Sequence, residues 1–332
     1  MTQSDITRRR ALEGLAGLGL TTALPLSRAW AEAGGPSLTF LAVGDWGREG
    51  AFHQRDVAIR MGESAKEIGA RFVISVGDNF YENGVTGIDD PAWQNSFEKV
   101  YDSPSLQVPW HVILGNHDYR GNVQAQLEYG TKSGRWKLPA RWYSYAERAP
   151  DGSLVEFFVI DTSPMMSIYY ADGAKLVKVG DQKHNVPVQL AWLDKALAAS
   201  RADWKIVIGH HPIYSGKLSK ETRAADPDKV TRLAGGSPDL IAILDPILQS
   251  HRVPLYLNGH DHNLAHVFHG ATHFVCTGAG SQLADHCDMG GSDFCALKSG
   301  FVACAVNRNR LRVAYRDYTG AELHVVDISR SV

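Results

Sequence analysis

The stretch LTFLAVGDWG, residues 38–47, sets the pattern from which the fold can be read. Its first six residues are nearly all apolar and lack the strict alternation that marks a strand with one face in water. Such a run is typical of a short strand buried on both faces of a sheet. A charged residue, Asp45, then follows one glycine later. The stretch FVISVGDNFY, residues 72–81, repeats this order of apolar run, glycine and aspartate.

Similar apolar runs alternate with helical patterns along the chain. Helices are predicted at Arg55–Ala70, Pro187–Ala199 and Asp239–Gln249, the last bent or ended by Pro246. The repeated order of strand, helix and strand predicts an α/β domain. The predicted strands of this part are Leu38–Val43, Phe72–Val76, His111–Leu114, Phe157–Ile160, Lys205–Ile208, Leu255–Leu257 and His273–Cys276.

The end of the chain has a different pattern. Phe301–Val306, Leu311–Tyr315 and Leu323–Ile328 are predicted as consecutive strands, with the polar residues 307–310 as a hairpin turn. Parallel α/β units that end in antiparallel strands indicate two mixed β-sheets packed as a sandwich with helices outside. No low-complexity linker interrupts residues 36–330, so we expect one domain there.

Five short polar motifs follow strand-like runs in one order. In α/β sheets, ligands gather beyond the carboxyl ends of the strands. The motifs supply two aspartates, an asparagine, a tyrosine and three histidines at such ends. They are Gly44-Asp45-Trp46-Gly47, Gly77-Asp78-Asn79-Phe80-Tyr81, Gly115-Asn116-His117-Asp118, Gly209-His210-His211-Pro212 and Gly259-His260-Asp261-His262.

These residue types in this arrangement favour metal ions. Two buried carboxylates such as Asp45 and Asp78 are costly unless a cation lies between them. Either Gly-Asp pair alone is more typical of a turn or a helix cap than of a metal site. His260 and His262 are two residues apart, so in an extended segment both side chains point the same way. Together, the motifs predict a dinuclear metal site.

The five motifs resemble those of the calcineurin-like metallophosphoesterases, and within them the purple acid phosphatases of the small, tartrate-resistant type. They cover residues 44–262 in the order of that family. The broader superfamily begins with Asp-x-His, and this chain has Gly47 in place of the histidine. Purple acid phosphatases place a tyrosine three residues after the second aspartate instead, and Tyr81 stands there after Asp78.

The resemblance implies a four-layer αββα fold and a ligand set for two metals. The first metal would be Fe(III), because a phenolate donor favours a hard trivalent ion. The second would be a divalent Fe, Zn or Mn ion, which ligand type does not distinguish. Asp45, Tyr81 and His262 would hold the first metal, Asn116, His210 and His260 the second, and Asp78 would bridge both.

The same resemblance implies an acid phosphatase that hydrolyses phosphomonoesters by attack of a metal-bound hydroxide. His117 would stabilise the phosphoryl group or protonate the leaving oxygen. Asp118 would orient His117, or cap the local turn. Two alternatives stay open: a phosphodiesterase or nucleotidase with the same site, and an iron-binding redox protein without physiological hydrolysis.

This chain also departs from the family pattern. Mammalian members have a further histidine where Ser219 stands, inside a charged insertion at Lys217–Pro238 that we expect near the substrate. His211 would replace that histidine or simply pack. The loop Met165–Tyr170 forms either a wall of the cleft or part of the core.

Other residues near the motifs receive structural interpretations. We expect Trp46 to pack over the site and Asp161 to form a turn. A group of histidines after the last motif has no spacing typical of metal ligands, and we expect surface or supporting roles for them. They are His266, His269, His273 and His286.

The N-terminus has the pattern of an export signal. Paired arginines at Arg8-Arg9 precede a weakly apolar stretch, Ala11–Leu26, and Ala29-Trp30-Ala31 matches a cleavage site. The stretch is too short to span a bilayer. Residues 1–31 are therefore expected to be a signal peptide, either of the twin-arginine type, read transiently by that export machinery, or an ordinary secretory signal. Either predicts a periplasmic or secreted protein without a stable membrane anchor.

Charge and cysteine content limit the remaining choices. The chain has 332 residues and a net charge of −2, which gives no indication of nucleic-acid binding. Its four cysteines contain no Cys-x-x-Cys pair, so a zinc ribbon is not expected. Three pairings are open. Cys287 and Cys295 flank a glycine-rich loop that a disulfide would close, whereas Cys276 and Cys304 lie in apolar runs typical of packed thiols.

Overall fold

The computed structural model describes residues 35–171, 177–215, 236–284, 287 and 292–330. Several sequence predictions fall outside these residues. They are the export signal at 1–31, most of the insertion at 217–238 with Ser219, and His286.

The first sheet combines a parallel half and an antiparallel half. Its strands lie in the order β14-β13-β12-β1-β2-β3-β4. β1 to β4 run parallel, and β12 pairs antiparallel with β1 and begins the C-terminal meander. The strands are β1 (Leu38–Val43), β2 (Val73–Ser75), β3 (Trp110–Val112), β4 (Trp136–Lys137), β12 (Gly300–Val306), β13 (Arg310–Asp317) and β14 (Glu322–Ser329).

The second sheet has the order β11-β9-β10-β8-β7-β6-β5. β6, β7, β8 and β10 are parallel, and the strands at both ends of the order are antiparallel to their neighbours. The strands are β5 (Tyr143–Arg148), β6 (Leu154–Val159), β7 (Trp204–Ile208), β8 (Leu255–Asn258), β9 (Leu264–His269), β10 (Thr272–Thr277) and β11 (Phe294–Ala296).

Helices cover the outer faces of both sheets. β1 shows how the layers arise, because its side chains alternate between two cores. Phe40 packs in the core between the sheets with Phe157 and Ile206, whereas Leu41 packs on the other face with Met61 of α1. On the far side, Leu193 of α3 packs in a third core. The helices are α1 (Gln54–Ile68), α2 (Val123–Glu128), α3 (Val186–Ala199), α4 (Pro238–Ile243) and α5 (Asp245–Ser250).

This four-layer arrangement confirms the predicted sandwich of two mixed sheets. The helical segment predicted at 239–249, with an interruption by Pro246, is present as two short helices, because α4 ends at Ile243 and α5 begins at Asp245, just before Pro246. β4, β5, β9 and β11 were not predicted. β4 and β11 have only two and three residues, and β5 alternates between half-buried and exposed positions.

The structure contains the disulfide that would close the glycine-rich loop, and the other two cysteines are not bonded to each other. Cys287 and Cys295 form a disulfide. Cys276 and Cys304 are buried free thiols in β10 and β12. In the described part of the chain, no helix has the length and apolar character needed to cross a membrane.

Three histidines form a row where the two sheets meet at one edge. His266 Nε2 lies 3.0 Å from His273 Nδ1, and His266 Nδ1 lies 3.4 Å from His324 Nε2. Because the two neighbours contact opposite nitrogens of His266, the three rings do not converge on one point. Burial, together with the two neighbouring histidines, lowers the pKa of His266 from 6.5 to about 4.

This row predicts a loss of stability in acid. A histidine whose pKa is lowered by folding has no effect on stability above pH 6.5, where it is neutral in both states, and it destabilises the folded state increasingly as the pH falls towards 4, because the unfolded state binds the proton first. We expect the free energy of unfolding to fall by on the order of 2 kcal/mol more in the native protein than in His266→Gln over this range. Urea unfolding at several pH values measures it. The exposed His184→Gln is the control, and parallel pH profiles for all three proteins would contradict the prediction.

Candidate metal centre

The predicted ligands all lie in loops at one end of the sandwich. Asp45, Asp78 and Asn116 follow β1, β2 and β3, which are neighbouring parallel strands of the first sheet. His210 and His260 follow β7 and β8, which are parallel neighbours in the second sheet. The carboxyl ends of parallel strands share one edge of a sheet, so the fold brings the motifs of both sheets together.

The Tyr81 hydroxyl is the meeting point of one half of the site. It lies 2.9 Å from Asp45 Oδ1, 2.9 Å from His262 Nε2 and 3.0 Å from Asp78 Oδ2. His262 Nε2 and Asp45 Oδ1 are 3.4 Å apart. Four donor atoms from three loops therefore converge on one small volume.

Asn116 has the corresponding place in the other half. Its Oδ1 lies 2.9 Å from His260 Nδ1 and 3.2 Å from His210 Nε2. The other ring nitrogen of His210 lies 2.9 Å from the Val76 carbonyl oxygen. That contact fixes a ring proton on Nδ1 and directs Nε2 at Asn116.

Asp78 joins the two halves. One carboxylate oxygen, Oδ2, faces Tyr81, and the other, Oδ1, lies 3.4 Å from His210 Nε2. The His117 backbone N–H donates to Oδ1 at 2.7 Å and fixes the carboxylate. Asp78 is 1 % exposed, so almost no water is available to solvate its charge.

The electrostatics of this cluster fit a cation. Burial alone would raise the pKa of Asp78, but the charges of His210, His117 and His260 override it and hold that pKa well below its usual range. The same pairing raises the pKa of His210 to about 9 despite its burial. Burial and the carboxylates of Asp45 and Asp78 raise the pKa of Tyr81. An ionised phenol here therefore needs a positive charge beside its oxygen.

The donor spacing also fits metal ions. Donors bound at about 2.1 Å to one octahedral ion lie roughly 3 Å apart. The separations around Tyr81 are 2.9–3.4 Å, and those around Asn116 are similar. Among the described residues, two groups of side chains that share His210 have their donor atoms close enough to hold a metal ion: Asp45, Asp78 and His210, and His210, His211 and His260. The side chains present can thus hold two cations side by side.

Comparisons with known proteins agree with this geometry. Residues 38–264 match the model of the calcineurin-like phosphoesterase family. Purple acid phosphatase 4 of Arabidopsis thaliana is 36% identical over 307 residues, which cover 89% of this chain and 84% of the plant protein. The chain belongs to the purple acid phosphatases.

Two further relatives show the range of this family. Human tartrate-resistant acid phosphatase type 5 is 35% identical over 264 residues, covering 76% of each chain. A solved structure described as GAP50, the anchor in the inner membrane complex of Plasmodium, is 26% identical with a TM-score of 0.71 and covers 90% of both chains. The same fold is therefore found in proteins named as phosphatases and in a protein described as an anchor. The fold alone does not distinguish these two roles, so the residues of the site are needed to do so.

In this purple acid phosphatase, three of the predicted ligands have strained backbones. Asp45, Asp78 and His260 have φ values of 60°, 50° and 68°, in the left-handed region that side-chain-bearing residues rarely adopt. Such strain is concentrated at functional sites, where the surrounding structure must enforce it. Gly115 helps here, because a Cβ at that position would overlap the Asp78 carboxylate.

Gly47 explains why the histidine of the broader superfamily is missing. A Cβ at this position would overlap the backbone oxygen of Asn79, so no side chain fits on this backbone. The Tyr81 backbone N–H also donates a hydrogen bond to the Gly47 carbonyl oxygen at 2.9 Å. The loop that carries Tyr81 thus packs directly on Gly47, which makes the two features of this subgroup mutually dependent.

His117 lies at the rim of the site. Its Nδ1 is 2.6 Å from the Glu82 carbonyl oxygen, and its Nε2 is 4.0 Å from Asp78 Oδ2. Burial lowers the pKa of His117, although the Asp78 charge opposes that shift. The Glu82 carbonyl therefore fixes the ring and leaves Nε2 directed at the cluster. Sequence reasoning missed this partner, because a backbone carbonyl has no residue-type signal.

Asp118 does not orient His117. Its carboxylate accepts from the Gly115 N–H at 2.8 Å, from the Asn79 N–H at 3.0 Å and from Gln126 Nε2 at 2.8 Å. Of the two roles considered for Asp118, the structure shows the cap of the turn. The carboxylate ties the second and third motifs together from behind.

Arg48 is a second neighbour that sequence reasoning missed. Its guanidinium carbon lies 3.8 Å from the centroid of the Tyr81 ring, and its Nη1 pairs with the Glu82 carboxylate. The Arg48 side chain is 9 % exposed. A cation against the face of a phenol ring stabilises that ring's position. The only indication in the sequence that Arg48 lies near the site was its position directly after the first motif.

His211 is packed, not exposed. Its Nδ1 is 2.8 Å from Thr162 Oγ1 and its Nε2 is 2.8 Å from the Tyr169 hydroxyl, so both ring nitrogens are engaged. Burial strongly lowers its pKa, with the His260 and His210 charges adding to the effect. Both interpretations of the loop 165–170 hold in part, because Tyr169 brings it to the edge of the site while Met165 is buried in the third core.

Two expectations about neighbouring residues were tested by the packing. Trp46 does not pack over the site. It is fully buried beside Phe97 and Tyr101 and donates to Ser75 Oγ at 2.8 Å, because the left-handed turn at Asp45 directs it into the core. Asp161 has a structural role, as expected, and accepts a hydrogen bond from the Tyr119 hydroxyl.

The packing at Gly47 gives a testable prediction. We expect Gly47→Ala to lower the free energy of unfolding by about 1–3 kcal/mol, because the added methyl group overlaps backbone that cannot relax without moving the Tyr81 loop. Gly87→Ala is the matched control, since a Cβ there meets nothing within 4 Å. Chemical denaturation measures both variants. Equal stability of the two would contradict this role of Gly47.

Proposed function

We propose that this phosphatase hydrolyses phosphomonoesters at a dinuclear site with Fe(III) in its first half and a divalent Fe, Zn or Mn ion in its second. The convergence of Asp45, Asp78 and His262 on the Tyr81 hydroxyl, all within 3.0 Å, carries the proposal. Such a donor set suits a hard trivalent ion. The proposed ligands are Asp45, Tyr81 and His262 for the first metal, Asn116, His210 and His260 for the second, and Asp78 for both.

The two cations would supply an activated water and neutralise charge on the phosphoryl oxygens. The chain's own residues position the ligands and the proton donor. Asp78 holds the two halves of the site at a fixed separation, and the Val76 carbonyl fixes the His210 tautomer. His117, fixed by the Glu82 carbonyl, presents Nε2 at the rim, where the imidazolium form can donate its Nε2 proton to the leaving oxygen.

The alternative substrates use the same site. A diesterase or nucleotidase would need the same metals, so the substrate class is decided by kinetics. Faster cleavage of p-nitrophenyl phosphate than of bis(p-nitrophenyl) phosphate supports the monoesterase, and the reverse order supports the diesterase. A protein that binds iron without hydrolysing either ester would be the redox or anchoring alternative.

We further propose that the protein is exported to the periplasm or the medium by the twin-arginine machinery. The pair Arg8-Arg9 before a weakly apolar stretch and the disulfide between Cys287 and Cys295 support this, because disulfides persist in oxidising compartments. Replacing both arginines by lysine should retain the protein in the cytoplasm. Unchanged export of that variant in cell fractions would point to the ordinary secretory route.

His117 separates a catalytic site from a metal-binding one. We expect His117→Ala to lower kcat for p-nitrophenyl phosphate by about 10²–10⁴-fold, the usual contribution of general-acid catalysis, while both metals are retained. Steady-state kinetics and elemental analysis of the same samples measure the two effects. The exposed His184→Ala is the control. Undiminished turnover, or loss of metals in proportion to turnover, would contradict the assigned role.

A further inference from the structure

A pocket rich in positive charge opens beside His117. It has a volume of about 670 Å³, and three of its lining residues are Arg120, Arg141 and Lys178. The rest of the lining is neutral, with Asn83 and Thr86 among it, and no described aspartate or glutamate takes part. We call this cavity the basic pocket. Its composition is unusual in a chain with a net charge of −2.

The Glu82 carbonyl links the basic pocket to the proposed reaction site. The Glu82 carbonyl oxygen lies 2.6 Å from His117 Nδ1 and accepts a hydrogen bond from Arg120 Nη1 at 3.3 Å. One oxygen atom therefore separates the side chain at the rim of the metal centre from the first cation of the basic pocket. A substrate whose phosphoryl group lies at His117 has this pocket as its neighbour.

In the described part of the chain, no carboxylate forms an ion pair with a cation of the basic pocket, although the charge of Arg120 acts on Glu82 and that of Arg141 on Asp161. Arg120, Arg141 and Lys178 form no ion pair there, and the buried Nε of Arg120 has no hydrogen-bond partner. Arg141 donates to the Tyr119 hydroxyl at 2.8 Å. The nearest acid on the His117 side, Glu82, pairs with Arg48.

A second pocket of the molecule provides a contrast. The cavity lined by Asp89, Asp90 and Glu98 also contains two cations, but Lys132 pairs with Asp89 at 3.0 Å and Arg135 with Glu98 at 2.8 Å. The basic pocket differs from this cavity because no carboxylate in its lining pairs with Arg120, Arg141 or Lys178.

The floor of the basic pocket is well supported. Tyr119 is 1 % exposed and donates to Asp161, and its backbone oxygen accepts from the Lys178 backbone N–H at 2.9 Å. The contact of Arg141 with the Tyr119 hydroxyl holds that guanidinium against the same residue. The Arg141 guanidinium is therefore held at the Tyr119 side chain, and the backbone of Lys178 is tied to the backbone of the same residue.

We infer that the basic pocket binds a second anionic group of the substrate. On this account, which rests on the proposed phosphomonoesterase function, the enzyme selects small phosphomonoesters that carry another phosphate near the one that is cleaved. Arginine is suited to this role because its guanidinium can bind phosphate through paired hydrogen bonds. Arg120 and Arg141 are then specificity-determining residues, outside the chemical step.

The test compares kcat/KM for fructose 1,6-bisphosphate and fructose 6-phosphate, by phosphate release from the metal-loaded enzyme. We expect the native enzyme to prefer the bisphosphate by about 10-fold or more, and Arg120→Gln or Arg141→Gln to lower that ratio by about 10-fold, as for a lost charge-assisted hydrogen bond. Raised ionic strength should lower the ratio as well. The bisphosphate has a statistical advantage because it offers two cleavable phosphates. This advantage is the same in every variant, so it does not affect the comparison of the ratios.

Conservative and remote variants serve as controls. Arg120→Lys and Arg141→Lys keep the charge and should restore part of the preference, whereas the exposed Lys195→Gln should leave the ratio unchanged. An unchanged ratio in both glutamine variants would overturn the inference. Hydrolysis of p-nitrophenyl phosphate by the same samples separates the two proposals: if it is hydrolysed and neither sugar phosphate is, the inference is overturned while the proposed function stands. If none of the three esters is hydrolysed, the proposed function fails, and calorimetric binding of fructose 1,6-bisphosphate to the native protein and Arg120→Gln decides the pocket, where equal affinity overturns the inference.

Discussion

The rest of the structure depends on one electrostatic constraint, the burial of two carboxylates against a phenol. Asp45 and Asp78 are almost inaccessible to water, and both lie within 3.0 Å of the Tyr81 hydroxyl. Such a cluster is costly unless cations or protonated histidines balance it. Three histidines and an asparagine surround the carboxylates, which is the arrangement that two metal ions would complete.

The fold supplies this cluster by placing strand ends of two sheets at one edge of the sandwich. Each sheet contributes adjacent parallel strands, so short loops suffice to bring the motifs within contact. The loops are strained, with left-handed backbone at Asp45, Asp78 and His260. A rigid core and supporting contacts such as the buried carboxylate of Asp118 keep those conformations in place. The folding stability of the sandwich thereby offsets the cost of the strained backbone and the buried carboxylates at the site.

Much of this could be predicted from the sequence, because the strand runs and polar motifs are local signals. The two-sheet sandwich and the neighbourhood of all seven proposed ligands follow from apolar runs that end in glycine and a polar residue. Contacts that depend on the folded chain were missed. The Glu82 carbonyl at His117 and the stacking of Arg48 on Tyr81 have no signal in residue spacing. Trp46 was misplaced because the direction of its side chain depends on the left-handed turn before it.

The central claim is that Tyr81 binds Fe(III) in the first half of the site, and the visible absorption spectrum of the purified protein tests it most directly. We predict a broad tyrosinate-to-iron charge-transfer band that gives a purple or pink colour and is lost in Tyr81→Phe. A colourless protein with both sites loaded, or a band that persists in Tyr81→Phe, would contradict the claim.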